Sequence, residues 1–161
     1  MYVSIFRLGR EILSLDEYRQ KREVEKSGEP RGEVKVSGEK NGGIYVIQRH
    51  QATHLHWDLR LEMEGTLKSW AVPKEPPAEK GVKRLAVQVE DHPLDYANFA
   101  GTIPEGEYGA GKVEIWDKGT YKLIDRKPNK LIFEILGERL KGTYCLLRFK
   151  EDKNWLFFKT K

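Results

Sequence analysis

From Gly43 onward, apolar and polar side chains alternate with a period of two. They do so in nine separate stretches: Ile44–Arg49, Leu55–Met63, Leu67–Val72, Val82–Glu90, Lys112–Trp116, Thr120–Ile124, Leu131–Leu136, Thr143–Phe149 and Trp155–Lys159. Each is short, rich in β-branched or aromatic residues and bounded by Gly, Pro, Asn or Asp, the pattern of a half-buried strand. No helical period separates them, which argues against βαβ units and for an all-β sandwich or barrel. Before Gly43 the pattern changes. Ser14-Leu15-Asp16-Glu17 fits a capping box, with Ser14 as N-cap, so a short charged helix is expected to follow and to end near Ser27-Gly28. Residues 28–43 are rich in Gly, Lys and Glu and read as a loop or loose extension. Two further loops stand out, Pro73–Gly81 (PKEPPAEKG) and Thr102–Gly111 (TIPEGEYGAG).

The 161 residues suit one domain, with helix and extension over 1–42 and β-structure over 43–161. Four Trp and an aromatic content of 11% argue against a disordered chain, although 34% of residues are charged. No apolar run reaches the ~18 residues of a membrane span. The opening MYVSIFRLGREI lacks the apolar stretch and small-residue cleavage site of a secretory signal, so a cytoplasmic location is expected. A single cysteine, Cys145, excludes an internal disulfide framework and a multi-Cys zinc site. Net charge is +4, unevenly spread: residues 120–161 carry 11 basic and 5 acidic side chains, a net of +6. Such a basic third suits a polyanion partner, although lysine-rich surfaces are ordinarily just solvated.

All four histidines fall between positions 50 and 92, three of them in QRHQATHLHWDLRLE. Alternation puts His56, Asp58, Arg60 and Glu62 on one face of their strand, and Leu55, Trp57, Leu59, Leu61 and Met63 on the other. The preceding strand ends at His50, with Gln48 on the same parity. Antiparallel pairing would bring His50 beside His56 and Asp58. Two imidazoles and one carboxylate make a facial triad for a divalent metal, and a guanidinium next to it suits a phosphate group. A strand with one polar face is usually only half-solvated, but this polar face reads His-Asp-Arg. On Val82–Glu90, Arg84, Ala86, Gln88 and Glu90 share one face, and His92 follows at the strand end, where functional groups are often presented. A cupin-like site fails on spacing, since Glu62 falls one residue too far from His54-x-His56. No P-loop, nucleophile elbow or dinucleotide fingerprint is present.

Three blocks carry a family resemblance: HQATHLHWDLRLEMEGTLKSWAVPKEPP, KRLAVQVEDHPLDYANFAGTIPEGEYGAGKVEIWDKGTY and GERLKGTYCLLRFK. In this order they resemble the 3′-phosphoesterase domain of bacterial DNA ligase D and its stand-alone relatives. The resemblance runs from about Leu15 to Lys161. It implies a compact β-barrel of eight or nine strands with a short N-terminal helix. The implied enzyme is Mn²⁺-dependent and acts in DNA repair by non-homologous end joining. It would remove a terminal 3′ ribonucleoside from a DNA or RNA–DNA primer strand, then the remaining 3′-phosphate, leaving a 3′-OH. By motif position, His50, His56 and Asp58 would be metal ligands, and Arg60, His92 and Tyr96 would surround the scissile phosphate. Arg22 and Glu23 fall where the family has an essential Arg and an acidic residue, and Glu29 on a further carboxylate. Gln48, Lys74, Arg84 and Glu90 match other pocket positions. Gln51, Trp57 and Glu23 depart from the family's usual Asp, Tyr and Asp. With no ligase or polymerase domain in the sequence, coupling to end joining is expected to act in trans. The rival readings are a non-catalytic nucleic-acid-binding barrel, using the basic C-terminal third and aromatics, and a metal-dependent small-molecule enzyme.

Overall fold

A computed structural model of the chain describes residues 15–21, 29, 41–150 and 152–161. Helix α1 (Asp16–Lys21) precedes β1 (Gly42–Gln51), β2 (Leu55–Met63), β3 (Thr66–Val72) and β4 (Lys83–His92). A 3-10 helix (Leu94–Asn98) follows, then β5 (Gly101–Ile103), β6 (Gly111–Lys127), β7 (Lys130–Leu136), β8 (Lys141–Arg148) and β9 (Asn154–Lys159). The strands run β1-β2-β3-β4-β9-β8-β7-β6, and β6 pairs back onto β1 to close an antiparallel eight-stranded barrel, with β5 added on β6. No helix among the described residues is long and apolar enough to cross a membrane.

The period-two pattern explains which side of the wall each residue takes. Tyr45 and Ile47 of β1, Trp57, Leu59, Leu61 and Met63 of β2, and Trp70 and Val72 of β3 point inward. They meet Phe133, Ile135, Tyr144, Leu146 and Phe157 from the far wall. Each large apolar side chain removed from water contributes roughly 1.5–3 kcal/mol, so this layer carries most of the fold's stability. The alternate residues face outward, yet around β1 and β3 the outer face is not open to solvent. Tyr18 of α1 and Tyr96 and Ala97 of the 3-10 helix pack there against Val46 and Leu67. This outer layer turns one patch of barrel wall into a buried polar site.

Three details differ from the sequence-based expectation. Lys112–Trp116 and Thr120–Ile124 belong to one long strand, β6, and Asp117-Lys118-Gly119 is not a turn. Asp117 faces inward, where its carboxylate accepts the Tyr45 hydroxyl (2.7 Å) and the backbone N–H groups of Glu138, Arg139 and Leu140 (2.9–3.0 Å). Gly119 lets β7 pass close by, since a Cβ there would lie 2.1 Å from the Leu136 carbonyl oxygen. Both turn-type residues therefore serve tertiary contacts. Second, β5 is a three-residue strand, too short to show a period. Third, β4 bulges: Leu67 pairs with His92 and Ser69 with Val89, two residues against three. Past the bulge the alternation of β4 changes phase, so Glu90 does not continue the inward row of Ala86 and Gln88. Of the N-terminal expectations, the helix is present over Asp16–Lys21. The Ser14 cap and the helix end near Ser27-Gly28 lie outside the described residues, as do Arg22 and Glu23.

Candidate active site

Antiparallel pairing places His50 of β1 directly opposite His56 of β2, with Gln48 opposite Asp58. The side chains of His50, His56 and Asp58 emerge on the outer face into a cavity of about 630 Å³, also lined by Arg60, Glu90, His92, Tyr96 and Tyr108. One nitrogen from each imidazole and one oxygen of Asp58 lie within 4.8 Å of one another. His56 Nε2 is 3.3 Å from Asp58 Oδ2, and His50 Nδ1 is 3.8 Å from it.

The other ring nitrogens fix the tautomers. His50 Nε2–H donates to the Gly109 carbonyl (2.7 Å), and His56 Nδ1–H donates to the His54 carbonyl (3.0 Å). Each ring therefore turns a lone pair toward the Asp58 carboxylate. Three lone-pair atoms converging on one point repel unless a proton or a cation sits among them. Burial opposes a charge on His56, but the hydrogen bond and charge of Asp58 outweigh it and raise the imidazole above its ordinary value. Burial would likewise push the Asp58 carboxyl up, yet Arg60 and the two imidazoles hold it well below the usual carboxylate range. A carboxylate that stays ionised, with two imidazoles oriented by outer carbonyls, is a donor set that fits a divalent cation.

Beside this triad a second group forms around Arg60, which is 3% exposed. Its Nε donates to Gln48 Oε1 (2.7 Å), and its Nη2 lies 3.5 Å from Asp58 Oδ2. Among the described residues its Nη1 has no hydrogen-bond acceptor. The Gln48 amide is itself anchored, donating to the carbonyls of Tyr96 (2.6 Å) and Phe99 (3.0 Å). The guanidinium sits 4.8 Å from the centroid of the Tyr96 ring, and the Tyr96 hydroxyl donates to Glu29 (2.7 Å). His92, brought to this face by the bulge in β4, packs edge-on against Tyr96 and Tyr18 at 4.7 and 5.0 Å. Its Nδ1–H donates to the Glu90 carbonyl (2.9 Å), which makes Nε2 the acceptor of the ring. The cavity thus joins a candidate metal triad, a rigid guanidinium and an oriented imidazole, a combination suited to holding a phosphate ester.

The comparisons with known proteins point the same way. Residues 48–148 match the model of the DNA ligase D 3′-phosphoesterase domain. The chain belongs to this family. The multifunctional non-homologous end joining protein LigD of Pseudomonas aeruginosa is 46% identical over 156 residues, covering 91% of this chain and 18% of that protein. The corresponding DNA repair protein of Mycobacterium tuberculosis is 46% identical over 152 residues, and that of Mycolicibacterium smegmatis 42% over 159. Each covers 91% of this chain, which spans 20% of the relative's length.

Within this 3′-phosphoesterase-family barrel the expected site residues fall into distinct positions. His50, His56, Asp58, Arg60, Glu90, His92 and Tyr96 line one cavity. Gln48 stands behind Arg60, and Glu29 behind Tyr96. Lys74 and Arg84 are not among the cavity's lining residues: Lys74 is exposed in the loop after β3, and Arg84 Nε donates to the Glu75 carbonyl (2.9 Å). Glu62, on the same parity as Asp58, turns to the backbone N–H of Ile44 (2.9 Å). Several contributors carried no side-chain signal, above all the carbonyls of His54 and Gly109. Lys21 was also missed; it bridges Glu90 (3.1 Å) and the Tyr108 hydroxyl (3.3 Å) and so ties α1 to the cavity rim.

Proposed function

We propose that this domain is a metal-dependent 3′-end-healing phosphoesterase acting on a polynucleotide primer strand. In the first reaction water adds to the phosphorus of the terminal phosphodiester, releasing a 3′ ribonucleoside with a free 5′-OH and leaving a 3′-phosphate. In the second, water displaces the 3′-OH end from that phosphate, releasing inorganic phosphate. The observation that carries this reading is the convergence of His50 Nδ1, His56 Nε2 and Asp58 Oδ2 beside the buried Arg60 guanidinium. His50, His56 and Asp58 would hold one divalent ion, Mn²⁺ by family resemblance. When bound it would supply Lewis-acid polarisation of a phosphoryl oxygen. Arg60 offers Nη1 and Nη2 to the phosphoryl oxygens and offsets the charge that builds on them. Gln48 and Tyr96 hold the guanidinium in place, so it does not reorganise as the reaction proceeds. His92 presents an imidazole on the lining of the same cavity, a group that can carry a proton to or from the reacting ester. Arg22 and Glu23 are assigned to the same phosphate by motif position, and Glu29 acts through Tyr96.

The test is a 5′-labelled primer ending in one ribonucleotide, annealed to a template and incubated with Mn²⁺. Successive appearance of a shortened 3′-phosphate strand and then a 3′-OH strand is expected, and chelation should stop both. Binding of the primer without any conversion would instead favour a non-catalytic barrel.

A further inference from the structure

A second pocket of about 210 Å³ lies at one end of the barrel, away from the triad. Four cations line it, Lys68, Arg126, Lys127 and Arg148, and no carboxylate does. Its remaining wall includes Trp70 and Trp155, which pack edge to face at 5.9 Å. Two of the four charges are already balanced: Lys68 by Asp91 (2.8 Å) and Arg126 by Glu64 (3.0 Å). Among the described residues Lys127 and Arg148 have no carboxylate within ion-pair distance. Both stand at strand ends that the backbone pins together, since the Arg148 N–H donates to the Asn129 carbonyl (2.8 Å) in the turn after Lys127. Arg148 also lies over the Trp155 ring at 6.0 Å.

Lys127 and Arg148 both stand exposed at the rim of this pocket, beside the packed Trp70–Trp155 pair, and two neighbouring cations with no carboxylate partner among the described residues attract an anion. Three of the four cations come from the segment 120–161, whose net charge of +6 the cavity at His50 leaves unused. Guanidinium forks with a neighbouring ammonium match phosphate oxygens. We propose that this pocket is a second phosphate-binding site, which grips the backbone of the polynucleotide whose 3′ end enters the cavity at Arg60. The identity of the anion as nucleic acid rests on the proposed function. The two sites border the same strand, Gln88 lining this pocket and Val89 and Glu90 lining the cavity.

The experiment uses the full chain and a fluorescein-labelled DNA duplex with 3′-OH ends, which is not a substrate, in the presence of chelator. Anisotropy is read across a salt series. Lys127→Ala combined with Arg148→Gln should weaken binding several-fold. It should also lower the slope of log affinity against log salt by about 2, since each phosphate neutralised on duplex DNA contributes ~0.9. Lys127→Glu alone, which leaves the Trp155 contact intact, should show the same direction, with melting temperatures unchanged for both variants. An unchanged slope in Lys127→Glu overturns the proposal, and so does an oligoglutamate that competes as well as the duplex. A wild type that binds with this salt dependence but turns over no 3′-end would refute the proposed activity and leave the second site standing.

Discussion

Replacing Arg60 separates charge from geometry at the site. The guanidinium donates through Nε to Gln48 (2.7 Å), lies 3.5 Å from Asp58 through Nη2, and keeps Nη1 buried without an acceptor among the described residues. A buried donor left unmade costs about 1–3 kcal/mol, and a charged hydrogen bond contributes about 1.5–3 kcal/mol. A phosphoryl oxygen that accepts from this edge therefore relieves the first and gains the second. Loss of such a preorganised donor typically costs about 2.7–4 kcal/mol of barrier, or 10²–10³ in rate. Arg60→Gln should show that fall. Arg60→Lys should fall nearly as far, because one ammonium cannot reach Gln48 Oε1 and a phosphate together, and it has no planar fork. Both variants should keep their metal, since a cation is not a ligand. The assay pairs bound manganese, measured by plasma mass spectrometry, with turnover of a 3′-phosphorylated primer. Loss of metal in either variant, or a lysine variant at the wild-type rate, would refute the reasoning.

His56→Ala should lose both bound metal and turnover yet unfold cooperatively, because its side chain stands on the outer face and not in the barrel core; stoichiometric metal in that variant would count against the triad. The diesterase step should prefer a terminal ribonucleotide, whose 2′-OH is the group that distinguishes RNA from DNA; equal rates on all-DNA primers would contradict it. Asp117→Ala strands three backbone N–H groups and the Tyr45 hydroxyl that its carboxylate now accepts. With each unmade buried bond costing about 1–3 kcal/mol, urea unfolding should show a loss of at least about 3 kcal/mol; a loss near zero would mean that the β7–β8 connection rearranges freely.

Facing was legible on β2, where alternation ran uninterrupted, whereas on β4 the small Ala86 enters the core and Leu85 is left 39% exposed. On β2 every odd residue from Trp57 to Met63 enters the core, and Asp58, Arg60 and Glu62 take the other face. Legibility ended at the bulges. The extra residue in β4 puts His92 on the same face as Val89 although their parities differ, so a strict period of two would have aimed it into the barrel wall. The bulge near Trp116, where Ile47 pairs with Asp117 and Gln48 with Ile115, likewise let an Asp-Lys-Gly sequence pass for a turn. Bulges are set by pairing across strands, a tertiary property that a single strand's sequence does not encode.

The triad itself was visible, because register follows from parity once β1 and β2 pair. The atoms that make it a ligand set were not. Which nitrogen of each ring faces Asp58 depends on the carbonyl that accepts from the other, and carbonyls have no letter in a sequence. For His50 that carbonyl belongs to Gly109, whose φ of +75° is a left-handed conformation that a Cβ disfavours. The glycines of TIPEGEYGAG are thus more than loop punctuation: one of them turns the backbone so that an oxygen reaches the imidazole and sets its tautomer. A loop that supplies no side chain to the triad therefore orients the nitrogen that His50 turns toward Asp58.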